Sequence, residues 1–525
     1  MAESRPGVVD WGAAAIVGLA AVCLYPFLQQ LNGGCNDEGM LALGASRVLT
    51  GECPYLDFLT RNTPGTYYVL ALVYRVTGAN MMGTRLVVWL TGIALSLLIY
   101  LTGRKLMSSR WALAAASLFC ATGVSHFPVV NHHWLSILAY ALGVLALLGW
   151  AERPDLKRCL PVGASVALAW WFLQSEGAAL VVTSCLCLLL IRPPGAGKQL
   201  LAGAAAAVGV SLVLWLPILL RVSLSQVFES SVLDVLRYHV GFNDSPYNWK
   251  PLAAAWGQVR TGLGDFRFDL NHLTWLAHAL SFFLVWVVKH GMFYLVLAVV
   301  GVVLLRRSAA VARPVWVCWL SLAVLAFVNR GRQDMLYINY LTPWFYLLLV
   351  WLIHRFAPRP GLVAGLLVGL FTVQLGFSLG EAFDYRFPVV SFRGILYSDS
   401  APVAAGWNRS LQQASRLTPP GTPTVFFPYA TAFAFYSGTR SLMPDPLTFP
   451  IHSPEKDFQA LLRVVEKEKP QYIYDAPLGP DALLDYPSID KSQFFAIQAR
   501  WEAALLADYQ LADELPQARV YRRKP

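Results

Sequence analysis

The residues with the clearest chemical potential are Asn36-Asp37-Glu38-Gly39, a few positions beyond the first long apolar run. Two adjacent carboxylates at a membrane surface are costly to desolvate unless they hold something. A carboxylate there is able to take a proton from a hydroxyl group, as general-base chemistry requires. Asp and Asn also favour helix starts, so a hydrated N-terminal turn fits the same residues, and the pair alone leaves both readings open. Arginine offers the complementary chemistry, because its planar guanidinium binds phosphate in bidentate fashion. The candidates are Arg61, just before an apolar 15-residue stretch at Pro64–Gly78, and Arg330 and Arg332 in Asn329-Arg330-Gly331-Arg332-Gln333-Asp334. The alternative for Arg330 and Arg332 is headgroup anchoring or a pair with Asp334. Arg75 and Arg85 read as snorkelling or structurally paired.

Other polar positions carry two readings each. In Asn131-His132-His133-Trp134 the two histidines point about 100° apart on a helix, which disfavours a shared metal; one of them contacts sugar or phosphate, or both are interfacial. Glu176, in Gln174-Ser175-Glu176-Gly177, binds a sugar or cation or caps the next helix. Asp57 lines an acceptor path or bonds within its loop. Of eight cysteines, Cys35 and Cys53 share an outward loop; they are a disulfide or two buried thiols, and their spacing does not choose. No cluster has metal-ligand spacing. Gly195-Ala196-Gly197-Lys198-Gln199 is no phosphate loop, since no Ser or Thr follows the lysine.

The elements that must position these groups are membrane helices. Of 525 residues 56% are hydrophobic and 14% charged, against about 25% charged in soluble domains. Apolar runs suggest about eleven spans, at 11–31, 81–102, 111–127, 134–150, 159–173, 177–191, 199–220, 285–305, 314–328, 336–354 and 361–380. The fifth and sixth meet in a tight helical hairpin at 174–177. The net charge of +10 follows positive-inside topology rather than nucleic-acid binding, because Lys and Arg gather in one set of short loops. The expected N-terminus is therefore cytoplasmic. Two long outward loops follow, 32–80 and 221–275, the second holding Asp244, Tyr247 and Trp249. Pro64–Gly78 is too short to cross and reads as an interfacial helix. Residues 1–380 thus form a membrane module and 381–525 an extracytoplasmic α/β domain. Its expected strands are Thr424–Phe427, Tyr472–Tyr474 and Arg519–Arg523, with helices at 455–468 and Lys491–Glu514.

The order of these features resembles the GT-C superfamily of membrane glycosyltransferases, glycosyltransferase family 39 in particular, which includes protein O-mannosyltransferases and lipid A aminoarabinose transferases. The resemblance rests on five features: the Asp37-Glu38 pair after span one, Gly51-Glu52-Cys53-Pro54-Tyr55-Leu56-Asp57-Phe58, the short helical hairpin, an Arg-rich stretch before the Tyr337-to-Pro343 span start, and the α/β tail. It implies a polyprenyl-phosphate-sugar donor, an extracytoplasmic acceptor (lipid, glycan or protein hydroxyl), a bacterial inner-membrane location, and Asp37 as catalytic base. Glu38 would be its partner or a metal or substrate contact, with Mg or Mn as the possible cation and no other cofactor. Arg61, Arg330 and Arg332 would hold phosphate; Asp57, His132, His133, Glu176 and Tyr337 would line the substrate. The chain departs from the family at 174–176, where many relatives carry a Thr-Lys or Arg-Gln-Asp element. Two alternatives stay open: a transporter or flippase of lipid-linked sugars, and an O-antigen-ligase-like transferase using diphosphate-linked glycans.

Overall fold

The computed structural model describes residues 10–31, 36–239, 250–264, 269–306, 309–330, 335–428, 430–445, 453, 455–479 and 490–525. The chain enters through α1 (Trp11–Leu24), whose first N–H groups are capped by the Asp10 carboxylate. Next come α2 (Asn36–Leu49) and α3 (Gly65–Thr77), which pack on each other, then α4 (Met81–Leu106), α5 (Ser109–Thr122) and α6 (His132–Glu152). Helices α7 (Leu156–Phe172) and α8 (Gln174–Ile191) are separated by Leu173 alone, which is extended, so the expected tight hairpin forms. The bundle continues with α9 (Ala196–Leu219), α10 (Leu224–Phe228), α11 (Lys250–Gly264), α12 (Leu270–Trp286), α13 (Met292–Leu305), α14 (Ala309–Val328), α15 (Met335–Phe356) and α16 (Pro360–Phe383).

Among the described residues seven helical stretches are long and apolar enough to cross a membrane: Trp11–Gln29, Met81–Leu106, His132–Glu152, Gln174–Ile191, Ala196–Leu219, Asn271–Leu305 and Pro360–Phe383. The other four expected spans fall in α5, α7, α14 and α15, which are helical but shorter or more polar. One boundary is corrected. The span expected at 285–305 is the second half of a 35-residue helical stretch, Asn271–Leu305, joined by a π-helical turn at Val287–Gly291. At about 1.5 Å per residue this exceeds an apolar bilayer core of about 30 Å. Its first half runs along α16 instead, where Ser281 Oγ donates to Gln374 Oε1 at 2.9 Å and His278 stacks on Phe377 at 4.7 Å.

After α16 a hairpin of β1 (Phe387–Ser391) and β2 (Gly394–Ser398) precedes a helix–sheet–helix unit. That unit comprises α17 (Ala401–Leu417), β3 (Pro423–Pro428), α18 (Thr431–Ser437), β4 (Arg440–Ser441), α19 (Glu455–Glu468), β5 (Tyr472–Ala476), α20 (Lys491–Leu505), β6 (Tyr509–Glu514) and β7 (Arg519–Arg523). The strand order is β4-β3-β5-β7-β6, with β3 parallel to β4 and β5, and β7 antiparallel to β5 and β6. Alternation along β3 builds both faces. Val425 and Phe427 join Leu461 and Trp501 under α19 and α20. Phe426 stacks on Tyr474 at 4.9 Å and meets Phe433 of α18 on the other face. The helix expected over Lys491–Glu514 ends at Leu505, and Tyr509–Glu514 is a strand. The apolar positions Leu505, Tyr509 and Leu511 suit either period; the unpaired edge of β7 decides, because β6 satisfies its backbone groups.

Candidate active site

Helix α2 begins at the acidic pair, and its start is clamped by the C-terminal domain. Thr431 Oγ1 donates to the Asn36 carbonyl at 2.5 Å, and the Ala432 N–H donates to Asn36 Oδ1 at 3.3 Å. A Cβ on Gly39 would lie 2.4 Å from the Ala432 nitrogen, so only glycine lets α2 and α18 approach this closely. The two carboxylates then diverge, because consecutive helical residues point about 100° apart. Asp37 is exposed in the first turn. Glu38 turns inward, 2% exposed. It accepts both Arg85 Nε at 3.1 Å and Arg85 Nη2 at 2.9 Å, and its Oε1 also accepts the Val130 N–H at 3.2 Å. Arg85 Nη1 continues to the carbonyls of Gln30 and Phe27. This fork fixes the end of α1, the start of α2 and the loop before α6 against one guanidinium. Glu38, expected beside Asp37 in catalysis, is thus fully engaged as a structural partner.

Val130 leads to a second polar cluster. Asn131 caps α6 through the Trp134 N–H at 3.0 Å and donates to the Tyr340 hydroxyl at 2.8 Å. The His133 ring stacks on Tyr340 at 4.5 Å, meets Tyr337 edge-on at 5.0 Å and lies 4.5 Å from the His132 ring. His133 Nδ1 sits 3.1 Å from Glu176 Oε1, and Ser175 Oγ donates to the other Glu176 oxygen at 2.5 Å. The structure therefore brings together His132, His133, Glu176 and Tyr337, from the starts of α6, α8 and α15. The sequence could not show this, since the four span more than two hundred positions.

The arginines fall elsewhere. Arg61, expected to hold phosphate, donates to Asp445 at 2.7 Å and Asp457 at 2.5 Å, both on the C-terminal domain, and is 9% exposed. Burial would lower its pKa, but Asp445 and Asp457 outweigh that and raise it. Arg61 therefore ties its loop to the C-terminal domain through two buried carboxylates, while its Nε is buried without a hydrogen-bond partner. Asp457 is itself pushed up to about 6, chiefly by burial and then by Asp445, with Arg61 opposing. Arg330 is exposed over the Phe327 ring, 4.2 Å from its centroid. Arg332 lies outside the described residues, as do Asp244, Tyr247 and Trp249.

Asp57 bonds within its loop: Oδ2 accepts the Cys53 N–H at 2.6 Å and Arg221 Nη2 at 3.1 Å. Of the two readings given for Asp57, these bonds match the one within its loop. Cys53 is a buried thiol, and Cys35 lies outside the described residues.

One charge escaped the sequence reading. Lys289, on the π-helical turn, is 2% exposed. Its ammonium donates to the Thr122 carbonyl at 2.9 Å and to Asn339 Oδ1, and lies 3.3 Å from His126 Nδ1. Thr122 ends α5 and Asn339 is in the first turns of α15, so this side chain sits at the bundle end where α2 begins. Its signal was present, since an ionisable residue inside an apolar run is a functional candidate by default.

Among the described residues no group of three or more His, Cys, Asp or Glu could hold a metal ion. Glu38 is paired with Arg85, and Glu176 with His133 and Ser175, and no step below runs through a metal.

The backbone arrangement as a whole matches solved membrane enzymes. ArnT from Cupriavidus metallidurans bound to undecaprenyl phosphate superposes with a TM-score of 0.60 at 12% identity, covering 99% of this chain and 98% of that one. The Archaeoglobus fulgidus oligosaccharyltransferase in complex with Zn and sulfate gives 0.55 at 13% identity, over 97% of this chain and 73% of that one. The chain has the GT-C fold. Apo ArnT gives 0.56 at 14% identity over 97% of each chain. A family model described as dolichyl-phosphate-mannose-protein mannosyltransferase matches residues 61–220, from the arginine before α3 to the end of α9. No curated protein matches the sequence.

Proposed function

We propose that this GT-C chain is an inverting glycosyltransferase that moves a sugar from a polyprenyl-phosphate donor to a hydroxyl group at the outer face of a bacterial inner membrane. The observation that carries the reading is the split of the acidic pair: Glu38 is locked by Arg85 while Asp37 stays exposed on a clamped helix start. In the reaction the acceptor O–H gives its proton to the Asp37 carboxylate as its oxygen forms a bond to the anomeric carbon. The bond from that carbon to the phosphate oxygen breaks, and the electron pair leaves with the polyprenyl phosphate. Attack opposite the leaving group inverts the configuration. Developing charge on the phosphate calls for a preorganised cation. Lys289, held by the Thr122 carbonyl and Asn339 Oδ1 at the same end of the bundle, is better placed to supply that charge than Arg61, whose acids are already in place. The His133–Glu176–Tyr337 cluster supplies the polar and aromatic surface suited to a sugar. The undecaprenyl phosphate bound to ArnT supports a lipid-phosphate donor.

The test is transfer from a panel of polyprenyl-phosphate sugars by the purified full chain in liposomes. Asp37→Asn should abolish transfer with the fold intact; full activity in that variant would overturn the assignment.

A further inference from the structure

A cavity of about 590 Å3 lies where α4 begins. Its floor is the first turns of α4, with Met81, Met82, Gly83 and Leu86; its roof is the β1–β2 turn, with Arg393, Gly394, Ile395 and Tyr397. The hairpin is held on the membrane module by two hydrogen bonds to backbone carbonyls. The Leu31 N–H donates to the Tyr397 carbonyl at 2.6 Å, and Arg393 Nη1 donates to the Ala79 carbonyl at 3.3 Å.

Arg393 is an unusual occupant of such a joint. Its guanidinium lies 5.2 Å from the ring centres of both Phe392 and Phe435. Its Nε is buried with no hydrogen-bond partner, and among the described residues no carboxylate pairs with it. Burial pushes its pKa down, and Tyr74 offsets this only in part. A half-buried guanidinium without a counter-charge is electrostatically incomplete. Around it the surface is apolar and open: Val76 is 88% exposed, Phe392 59% and Ile395 50%, with Met82 also exposed. These residues flank the start of α4, a membrane-length helix, so the patch continues the lipid-facing surface at the level of the headgroups. A cation beside an apolar floor at that depth matches an amphiphile with an anionic phosphate.

We propose that this cavity binds the phosphate headgroup of a membrane lipid, with Arg393 taking the phosphate and Met82, Leu86 and Ile395 taking the first acyl carbons. The site uses none of the residues assigned above to the transfer reaction. Its occupant would tie the hairpin, and with it the C-terminal domain that clamps α2, to the bilayer surface.

Native mass spectrometry of the full chain released from detergent tests this with three probes: dioctanoyl phosphatidylglycerol, dioctanoylglycerol and inorganic phosphate. The expected result is retention of phosphatidylglycerol well above the other two. Arg393→Gln should lower its affinity about ten-fold or more, the scale of one charge-assisted hydrogen bond, and Arg393→Lys should keep most of it. Ile395→Glu adds a repelling charge at the mouth on an exposed position, and should weaken binding without touching the core. Unchanged retention in Arg393→Gln and Ile395→Glu would overturn the site. Equal binding of inorganic phosphate would reduce it to an ion site, and equal binding of dioctanoylglycerol to an acyl crevice; either overturns the lipid-phosphate assignment.

Discussion

Asp37 and Glu38 are neighbours of the same charge, and the structure gives them opposite mutational signatures. Asp37→Asn is isosteric at an exposed position, so its stability cost should stay within about 0.5 kcal/mol. As general base it should carry a factor of about 10²–10⁴ in transfer rate. Glu38→Gln removes the charge from a carboxylate 2% exposed that faces an arginine 1% exposed, at 2.9 Å. Breaking one side of a buried pair costs about 3–5 kcal/mol, because the remaining charge is left uncompensated. Replacing both partners by apolar side chains, as in Glu38→Leu with Arg85→Met, removes the stranded charge and should recover a large part of that loss. The measurements are apparent melting temperature in detergent and initial transfer rate for the single variants and the double. Asp37→Asn should melt as the parent and fail to transfer. Glu38→Gln and Arg85→Met should each melt early, and the double variant later than either. If Glu38→Gln melts as the parent while losing transfer, the division of labour is refuted and Glu38 belongs to the chemistry.

Three further outcomes follow from buried charges. Arg61→Met strands Asp445 and Asp457 at the domain joint, so it should cost about 3–5 kcal/mol, and limited proteolysis should cut the C-terminal domain faster than in the parent. Asp457 and Asp475 are each pushed up to about 6, first by burial, against about 3.9 for an unfolded aspartate. The folded form therefore binds more protons between these values, and these two groups make the C-terminal domain more stable as pH falls from 7.5 through 6. Hydrogen exchange in β5 should slow on that descent, and Asp475→Asn should flatten the dependence. Lys289→Met keeps the length of the side chain without its charge; it should express normally and lose transfer by about 10²–10³-fold, the scale of one preorganised charge donor. Unchanged transfer would assign Lys289 to packing.

Much of this molecule was written in local sequence. Apolar runs marked helices because a bilayer forces the backbone to satisfy itself within each segment. The polar Gln174-Ser175-Glu176-Gly177 between two apolar runs announced the α7–α8 hairpin, and the apolar stretches at 424–427 and 472–474 announced the central strands. The acidic pair was visible as chemistry because its position after the first run is a linear property. What only the tertiary structure decided was partnership. Which of two adjacent carboxylates turns inward depends on Arg85, forty-seven positions away, and the partners of Arg61 are acids nearly four hundred positions away. The strand at Tyr509–Glu514 likewise exists because β7 offers an edge. Charges and backbone edges choose partners by distance in space, and side-chain type along the chain does not encode that distance.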